Sequence, residues 1–389
     1  MIDYRELMGI LSVPRPNGSA AERATARALK EWLDRRGIPY CAHTFRLYPY
    51  FFECVGLWLI LSRSLLALAV WANWGWPTLP IALIGLLGGA LDVALHWPLV
   101  TWPGARRGEN LLIEFEPPLA RREVILSAHY DSKTELLDHQ QRTLLFRRMN
   151  FGILLTVLLG LWGPLDAWMV SEPIHWVGVI LTLPMLLLAW GMGLHLSVGR
   201  FLEPSQGAVD NGAACAILLG LADRLAKGES LPPGTKVTLA LFTGEEVNMQ
   251  GSRAYVKSRG WPLPATVLNL EIMAQDGAYI YWEKDGDAFR SLATTSSLNE
   301  AYSAAVEKVT GAPAQAAGPV NSDGSSFLFA GIPAASVGAL DAKLGETGFH
   351  RPTDNLGRVV MERLPQGVAI LQAFLQTPAN QPSGGCHEN

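Results

Sequence analysis

The sequence predicts an α/β body built on a mixed central β-sheet flanked by helices, interrupted by two inserted transmembrane α-helical hairpins. Two observations carry this. Short apolar runs bounded by turn residues alternate with Ala- and Leu-rich helical segments, and several of the runs end in a histidine or an acid. Four longer apolar runs, arranged in two pairs, each reach about 20 residues, the length of a bilayer core. The totals agree, because 17% charged residues and a mean hydropathy of +0.18 are unusual for a soluble enzyme. A net charge of −4 argues against a nucleic-acid surface. Cys41, Cys54, Cys215 and Cys386 are scattered and form no CxxC pair, so neither a zinc knuckle nor a disulfide framework is suggested. Met1-Ile-Asp-Tyr-Arg-Glu6 does not read as a signal peptide.

The elements follow in order. Ser19-Ala-Ala-Glu22 is a capping box, and Ala21, Ala24, Ala28 and Trp32 recur at helical spacing behind it. Gly37 stops that helix, and residues 38–48 read as a strand. Residues 55–74 and 77–97 form the first apolar pair. Each carries one ionisable residue, Arg63 and Asp92, at similar depth in a folded-back hairpin, which predicts that the two pair. The other reading of this pair is a hairpin lying on a surface, with Arg63 snorkelling. Residues 110–115 and 123–128 are strands, the second ending in His129-Tyr-Asp131. Residues 151–170 and 174–198 form the second apolar pair, with Asp166 near one end and Pro184 as a kink site. The far loops, near 73–78 and 171–175, carry no Lys or Arg. The near ends carry Arg35, Arg36, Arg46, Arg106, Arg107, Arg142, Arg147, Arg148 and Arg200, which places the soluble body on the cytoplasmic side.

Beyond residue 203 the α/β pattern returns. Gly207-Ala-Val-Asp-Asn-Gly212 is a tight turn opening a helix to about Lys227. Val237-Thr-Leu-Ala-Leu-Phe242 is a buried strand that breaks at Thr243-Gly244 and presents Glu245 and Glu246 on a loop. Residues 252–258 read as a helix, 266–271 as a strand ending in acid, 287–309 as a helix, 334–337 as a strand, 345–354 as a loop and 361–375 as a last amphipathic helix. Residues 1–50, 100–148 and 200–376 thus form one domain, 51–99 and 149–199 the two hairpins, and 377–389 a disordered tail.

The polar residues where apolar strands end are His129, Asp131, Asp210, Glu245, Glu246, Glu271, His350 and Asp354. In an open α/β sheet such ends converge on one edge. Two adjacent glutamates there call for compensating positive charge, and a metal allows one to ligate while the other works on a water. Histidines and carboxylates without cysteine suit zinc held by nitrogen and oxygen.

The stretches Ser127-Ala-His-Tyr-Asp-Ser132, Gly207-Ala-Val-Asp-Asn-Gly212, Leu241-Phe-Thr-Gly-Glu-Glu-Val-Asn-Met-Gln-Gly-Ser252, Asn269-Leu-Glu271, Ser322-Asp323 with Ala330-Gly-Ile-Pro-Ala334, and Phe349-His350 with Asp354 together resemble the M28 family of zinc aminopeptidases and carboxypeptidases. The resemblance covers nearly all the soluble sequence. It implies the zinc-dependent exopeptidase fold around a mixed eight-stranded sheet, with two zinc ions. Asp210 would bridge them, His129 and Glu271 would complete one site, and Glu246 and His350 the other. Glu245 would be the general base, Asp131 would orient the His129 imidazole, Asp354 would be a further supporting acid, and the Asp210–Asn211 peptide would be cis. The implied reaction is a membrane-anchored aminopeptidase's removal of the N-terminal residue of a peptide by metal-activated water. A glutaminyl-cyclase-like acyl transferase, a dipeptidase or carboxypeptidase, and a non-catalytic binding protein are the alternatives. Three departures stand out. Glu271 occupies a position where aminopeptidases of the family commonly have Asp, Gly324 follows Ser322-Asp323 where His is common, and Gly318-Pro-Val-Asn321 lacks the Tyr that stabilises the oxyanion in relatives, leaving that donor unassigned. Because the second hairpin lies between Asp131 and Asp210, the active-site mouth is expected to face the bilayer; an apolar or membrane-associated peptide as substrate is one reading of that position, and simple anchoring is the other.

Overall fold

The computed structural model describes residues 2–377 apart from 97, 170, 288, 342 and 344–346, so the expected tail from 378 onward lies outside the described residues. The chain divides into two compact units. One comprises residues 1–47, 106–133 and 205–389, the other 48–105 and 134–204.

The first unit is built on nine strands: β1 (Cys41–Leu47), β2 (Arg106–Phe115), β3 (Arg122–His129), β4 (Thr235–Phe242), β5 (Ala265–Leu270), β6 (Gly277–Gly286), β7 (Ser291–Ala293), β8 (Gln315–Val320) and β9 (Ala334–Asp341). Their order is β1-β2-β4-β3-β5-β9-β6-β7, with β8 on β6. The centre, β4-β3-β5-β9, is parallel, and β2 and β6 flank it antiparallel. Central parallel strands are covered on both faces, which is why β3 and β4 are nearly continuous apolar runs. Alternate residues feed opposite cores. Val124, Leu126, Val237, Leu239 and Leu241 meet the core that includes Leu29, Trp32, Ile217, Leu221 and Leu371, whereas Ile125, Ala240 and Phe242 pack with Tyr255 and Phe327.

Several boundaries differ from the sequence reading. The helix expected over 287–309 is Ser296–Thr310, preceded by β7, and β6, β7 and β8, which the sequence reading lacks, bring its six strands to nine among the described residues, where the resemblance implies eight. In the helix Ala20–Asp34, Ser19 Oγ does accept the Glu22 N–H at 3.0 Å. The buried stripe, however, is Glu22, Thr25, Ala26, Leu29, Trp32 and Leu33, while Ala21 and Ala24 are exposed. The larger side chains claim the core, since each removes more apolar area from water than an alanine does.

The second unit is a four-helix bundle of Phe51–Trp71, Thr78–Leu95, His139–Met169 and Glu172–Ser197. All four helices are long and apolar enough to cross a membrane. The last runs uninterrupted through Pro184. Small residues set the crossings between the hairpins. A Cβ on Gly56 would lie 2.5 Å from the Gly193 carbonyl oxygen, and one on Gly160 would lie 2.6 Å from Ala82 Cβ. Trp71 Nε1 donates to Thr182 Oγ1 at 2.8 Å and Thr78 Oγ1 to the Gly160 carbonyl at 2.9 Å, tying the hairpins with polar contacts.

Arg63 and Asp92 do not pair. Arg63 Nη1 donates to the Gly85 carbonyl at 2.7 Å and to Ser62 Oγ at 2.8 Å. Asp92 instead accepts the Leu99, Val100 and Thr101 N–H groups and the Thr101 hydroxyl. Backbone donors of the turn after the helix satisfy the carboxylate locally, with no need for a cation from the neighbouring helix.

Candidate metal centre

Strand order brings the acids and imidazoles to one edge. His129 is the last residue of β3 and pairs in register with Phe242, the last of β4, so Thr243-Gly244-Glu245-Glu246 starts beside it. Gly244 has φ +81°, a conformation that favours glycine and turns the chain at the strand end. Glu271 follows Leu270, the end of parallel β5. Asp210 lies in the irregular turn Ala208–Gly212 that opens the helix Ala213–Ala226, and its peptide bond to Asn211 is cis. His350 lies in the loop after β9, with φ +57°.

The Asp210 carboxylate stands between two sets of partners. Its Oδ1 is 3.2 Å from His129 Nε2 and its Oδ2 is 3.2 Å from His350 Nε2. On the first side, Glu271 Oε2 lies 3.4 Å from His129 Nε2. On the second, Glu246 Oε1 lies 3.1 Å from His350 Nε2. Within each of the sets His129–Asp210–Glu271 and Asp210–Glu246–His350 the candidate ligand atoms lie within 4.8 Å of one another, and so do those of His129, Glu245 and Glu246. Glu245 Oε2 is the more distant neighbour of His129, at 3.8 Å.

Around this cluster lies a set of buried groups that aim it. Asp354 accepts the Val209 and Asp210 N–H groups at 2.8 and 3.3 Å, so it fixes the turn that presents Asp210. Asn211 Nδ2 donates to Glu271 Oε2 at 2.7 Å and Asn269 Nδ2 to Glu271 Oε1 at 2.8 Å. Asn269 is tied to Ser322, and Ser322 to the buried Asp285. Asp131 Oδ2 accepts from Asn17 Nδ2 at 2.7 Å and from the Glu246 N–H at 3.0 Å. Its Oδ1 lies 3.5 Å from His129 Nδ1, too long for a well-formed hydrogen bond, and neither atom has another hydrogen-bond partner. Asn17 and Asp285 escaped the sequence reading. Asn269 left a signal, because it stands near the end of β5, two residues before Glu271.

The electrostatics show that the cluster wants positive charge. Burial pushes the Glu245 carboxyl well above the usual carboxylate range; His129 opposes this, and Glu246, Glu271 and Asp323 add to it. Glu271 is raised by burial in the same way. Burial alone would lower the His129 pKa, yet Glu245 and Glu271, with Asp131 and Asp210, hold it well above the ordinary value. Glu246 Oε1 is buried and faces His350 Nε2 at 3.1 Å. Crowded carboxylates and two imidazoles, with no cysteine among them, are a donor set that fits zinc.

Gly324 has a local cause. A Cβ there would lie 2.4 Å from Ser336 Oγ and 2.6 Å from Asp285 Oδ2, so the space that a larger residue would need is filled by the Asp285 network. Glu271, one methylene longer than Asp, still brings its carboxylate to His129.

Residues 192–373 match the family model described as Peptidase family M28. None of the curated proteins compared with the chain matches it. Among solved structures the chain is similar to a Zn-dependent exopeptidase from Parabacteroides distasonis, with TM-score 0.55 and 14% identity over 96% of this chain and 97% of that one. It is also similar to the glutaminyl cyclase of Fimbriiglobus ruber, with TM-score 0.54 and 15% identity over 97% of this chain and 93% of that one. A zinc aminopeptidase from Bacillus subtilis matches with TM-score 0.44 and 18% identity over 69% of this chain, and the match spans half, 50%, of that protein's length. The exopeptidase and cyclase likenesses show a shared fold, a central mixed sheet flanked by helices.

Proposed function

We propose that this chain, whose residues 192–373 carry the M28 pattern, is a membrane-anchored di-zinc exopeptidase that removes the N-terminal residue of peptides. One observation carries the reading: the two oxygens of Asp210 face two different imidazoles at 3.2 Å, each with its own further carboxylate, Glu271 or Glu246. His129, Asp210 and Glu271 would hold one zinc, and Asp210, Glu246 and His350 the other. When bound, the two ions supply Lewis acidity toward a water and a scissile carbonyl. Glu245 takes a proton from the attacking water and passes it to the leaving amine. Asp131 and Asp354 hold the backbone around Glu246 and Asp210, which keeps the ligand oxygens aimed. The density of carboxylates suits a substrate with a free α-amino group, which favours action at the N-terminus. The four apolar helices support a lipid bilayer as the second partner, with the catalytic body on the Arg-rich cytoplasmic side. The loops of His129–Asp131 and Asp210 flank the second hairpin in sequence, so an apolar or membrane-associated peptide is the favoured substrate.

The test uses the full chain in liposomes. Metal analysis gives about two zinc ions per chain, and aminoacyl-nitroanilides and lipidated peptides with a free N-terminus are cleaved while N-blocked analogues are not. Glu245→Ala keeps its zinc and loses about 10²–10⁴-fold in kcat. One zinc with cyclisation of N-terminal glutaminyl peptides assigns the acyl-transfer chemistry instead. A chain that binds no zinc and turns over neither substrate refutes the proposal.

A further inference from the structure

The second hairpin leaves the soluble unit after Lys133 and returns to it at Ser205, so the segments bearing His129 and Asp210 are far apart along the chain. One side chain joins them. Arg15 follows the helix Tyr4–Leu11 and is fully buried at 0% exposure, which for a guanidinium requires that its donors be met. Its Nε donates to the Tyr130 carbonyl at 2.6 Å, Nη1 to the Gln206 carbonyl at 2.8 Å and Nη2 to the Gly207 carbonyl at 2.9 Å. Nη1 also donates to the carbonyls of Val13, at 2.8 Å, and Leu11. The backbone repeats the connection, since the Arg15 N–H donates to Ser132 Oγ at 2.8 Å and the Ser132 N–H to the Arg15 carbonyl at 3.1 Å. The departing and returning segments then touch. A Cβ on Gly207 would lie 2.5 Å from Ser132 Cβ and 3.0 Å from Arg15 Nη2, and Gly207 has φ +58°.

We propose that Arg15 is a positioning residue for the metal centre, a clasp that holds the Tyr130–Ser132 segment against the Gln206–Gly207 turn and so sets the distance from His129 to Asp210. This rests on the metal-binding reading above. The planar five-donor fork reaches carbonyls in three directions at once, and a lysine ammonium, a single point with three donors, does not. Because Asp210 serves both ligand sets, loosening the clasp weakens both sites together.

The experiment compares full-length wild type, Arg15→Lys, Arg15→Ala and Leu29→Ala, a cavity in the core at an apolar residue of the helix Ala20–Asp34. Zinc affinity is read by chelator competition and amide exchange at 130–132 and 206–210 by mass spectrometry. Arg15→Lys and Arg15→Ala weaken both zinc sites by about 10- to 100-fold, the range for groups that orient metal ligands. Both peptide segments lose protection in step, whereas Leu29→Ala lowers Tm and leaves zinc affinity within about twofold. If Arg15→Ala does not fold, Arg15→Lys decides. Wild-type affinity in Arg15→Lys, or an equal loss in Leu29→Ala, overturns the clasp. A wild type that binds no zinc instead overturns the metal reading, while the joint exchange of the two segments still tests the clasp.

Discussion

Glu22 makes a pH-dependent contribution to stability whose sign and size follow from its surroundings. Its side chain is buried, at 4% residue exposure, and accepts the Gly18 N–H at 2.5 Å and the Thr243 hydroxyl. Burial pushes its pKa up from 4.5 to about 7, against the lowering effect of the Thr243 and Gly18 hydrogen bonds and with Asp131 adding to the rise. A carboxyl whose pKa is raised on folding binds its proton more tightly when folded. Its contribution is therefore complete below pH 4.5, where both states are protonated, and is lost as pH climbs through about 7. At about 1.36 kcal/mol per pKa unit the loss amounts to about 3 kcal/mol.

Glu22→Gln removes the titration with little change of shape. Its oxygen keeps the Gly18 N–H, and its amide donates to Thr243 Oγ1, which then acts as acceptor. The variant should match the wild type near pH 4.5 and exceed it by about 3 kcal/mol at pH 8, on the order of 5–10 °C in Tm for a unit of this size. The assay is thermal unfolding of both proteins in the same detergent and at the same zinc concentration across pH 4.5–8, so that metal linkage is common to both. A Tm difference that stays constant with pH refutes the reasoning, because it removes the charge from the account and leaves only shape.

Two further perturbations read the centre and the bundle. Asn269→Ala takes one amide donor from Glu271 and leaves Ser127 Oγ without its acceptor; zinc affinity on the His129–Glu271 side should fall about 10- to 100-fold while the Glu246–His350 side changes less, as isothermal titration with sequential sites would report. Gly56→Leu drives a side chain into the Gly193 carbonyl and Ser197 Oγ, at 2.5 and 2.4 Å from the Cβ alone; this overpacking should cost about 1–3 kcal/mol and lower the melting temperature of the full chain in detergent, with unchanged melting counting against the crossing described.

What the sequence disclosed follows from where each pattern is written. The central strands were legible because burial on both faces writes them as continuous apolar runs, as at 123–128 and 237–242. β8, Gln315-Ala-Ala-Gly-Pro-Val320, is mostly exposed at the sheet's margin and carries no alternation to read. Asp92 misled for a different reason. Depth along a helix predicts which charges are neighbours, but the carboxylate's partners are three backbone N–H groups of residues 99–101, which have no identity in the sequence, and the uncharged Thr101 hydroxyl. Arg15 was invisible on the same ground, because all of its side-chain acceptors are carbonyls. Histidines and acids at strand ends were legible because the topology of a parallel sheet converts sequence position into a place on one edge.

Glu271 shows how such hidden support changes the meaning of a visible residue. A glutamate has one more rotatable bond than an aspartate, and freezing it costs conformational entropy that its surroundings must offset. Here each carboxylate oxygen accepts one amide, Oε1 from Asn269 and Oε2 from Asn211, so the longer side chain is held at both oxygens. Asn211 is also bonded to the Leu270 carbonyl and accepts the Ile272 N–H, which ties it to the backbone on either side of Glu271. Since Asn211 directly follows Asp210, the turn that presents Asp210 and the strand end that presents Glu271 are locked through a single amide side chain. The extra methylene of Glu271 is therefore held by a residue of the Asp210 turn, and moving either segment must move both carboxylates.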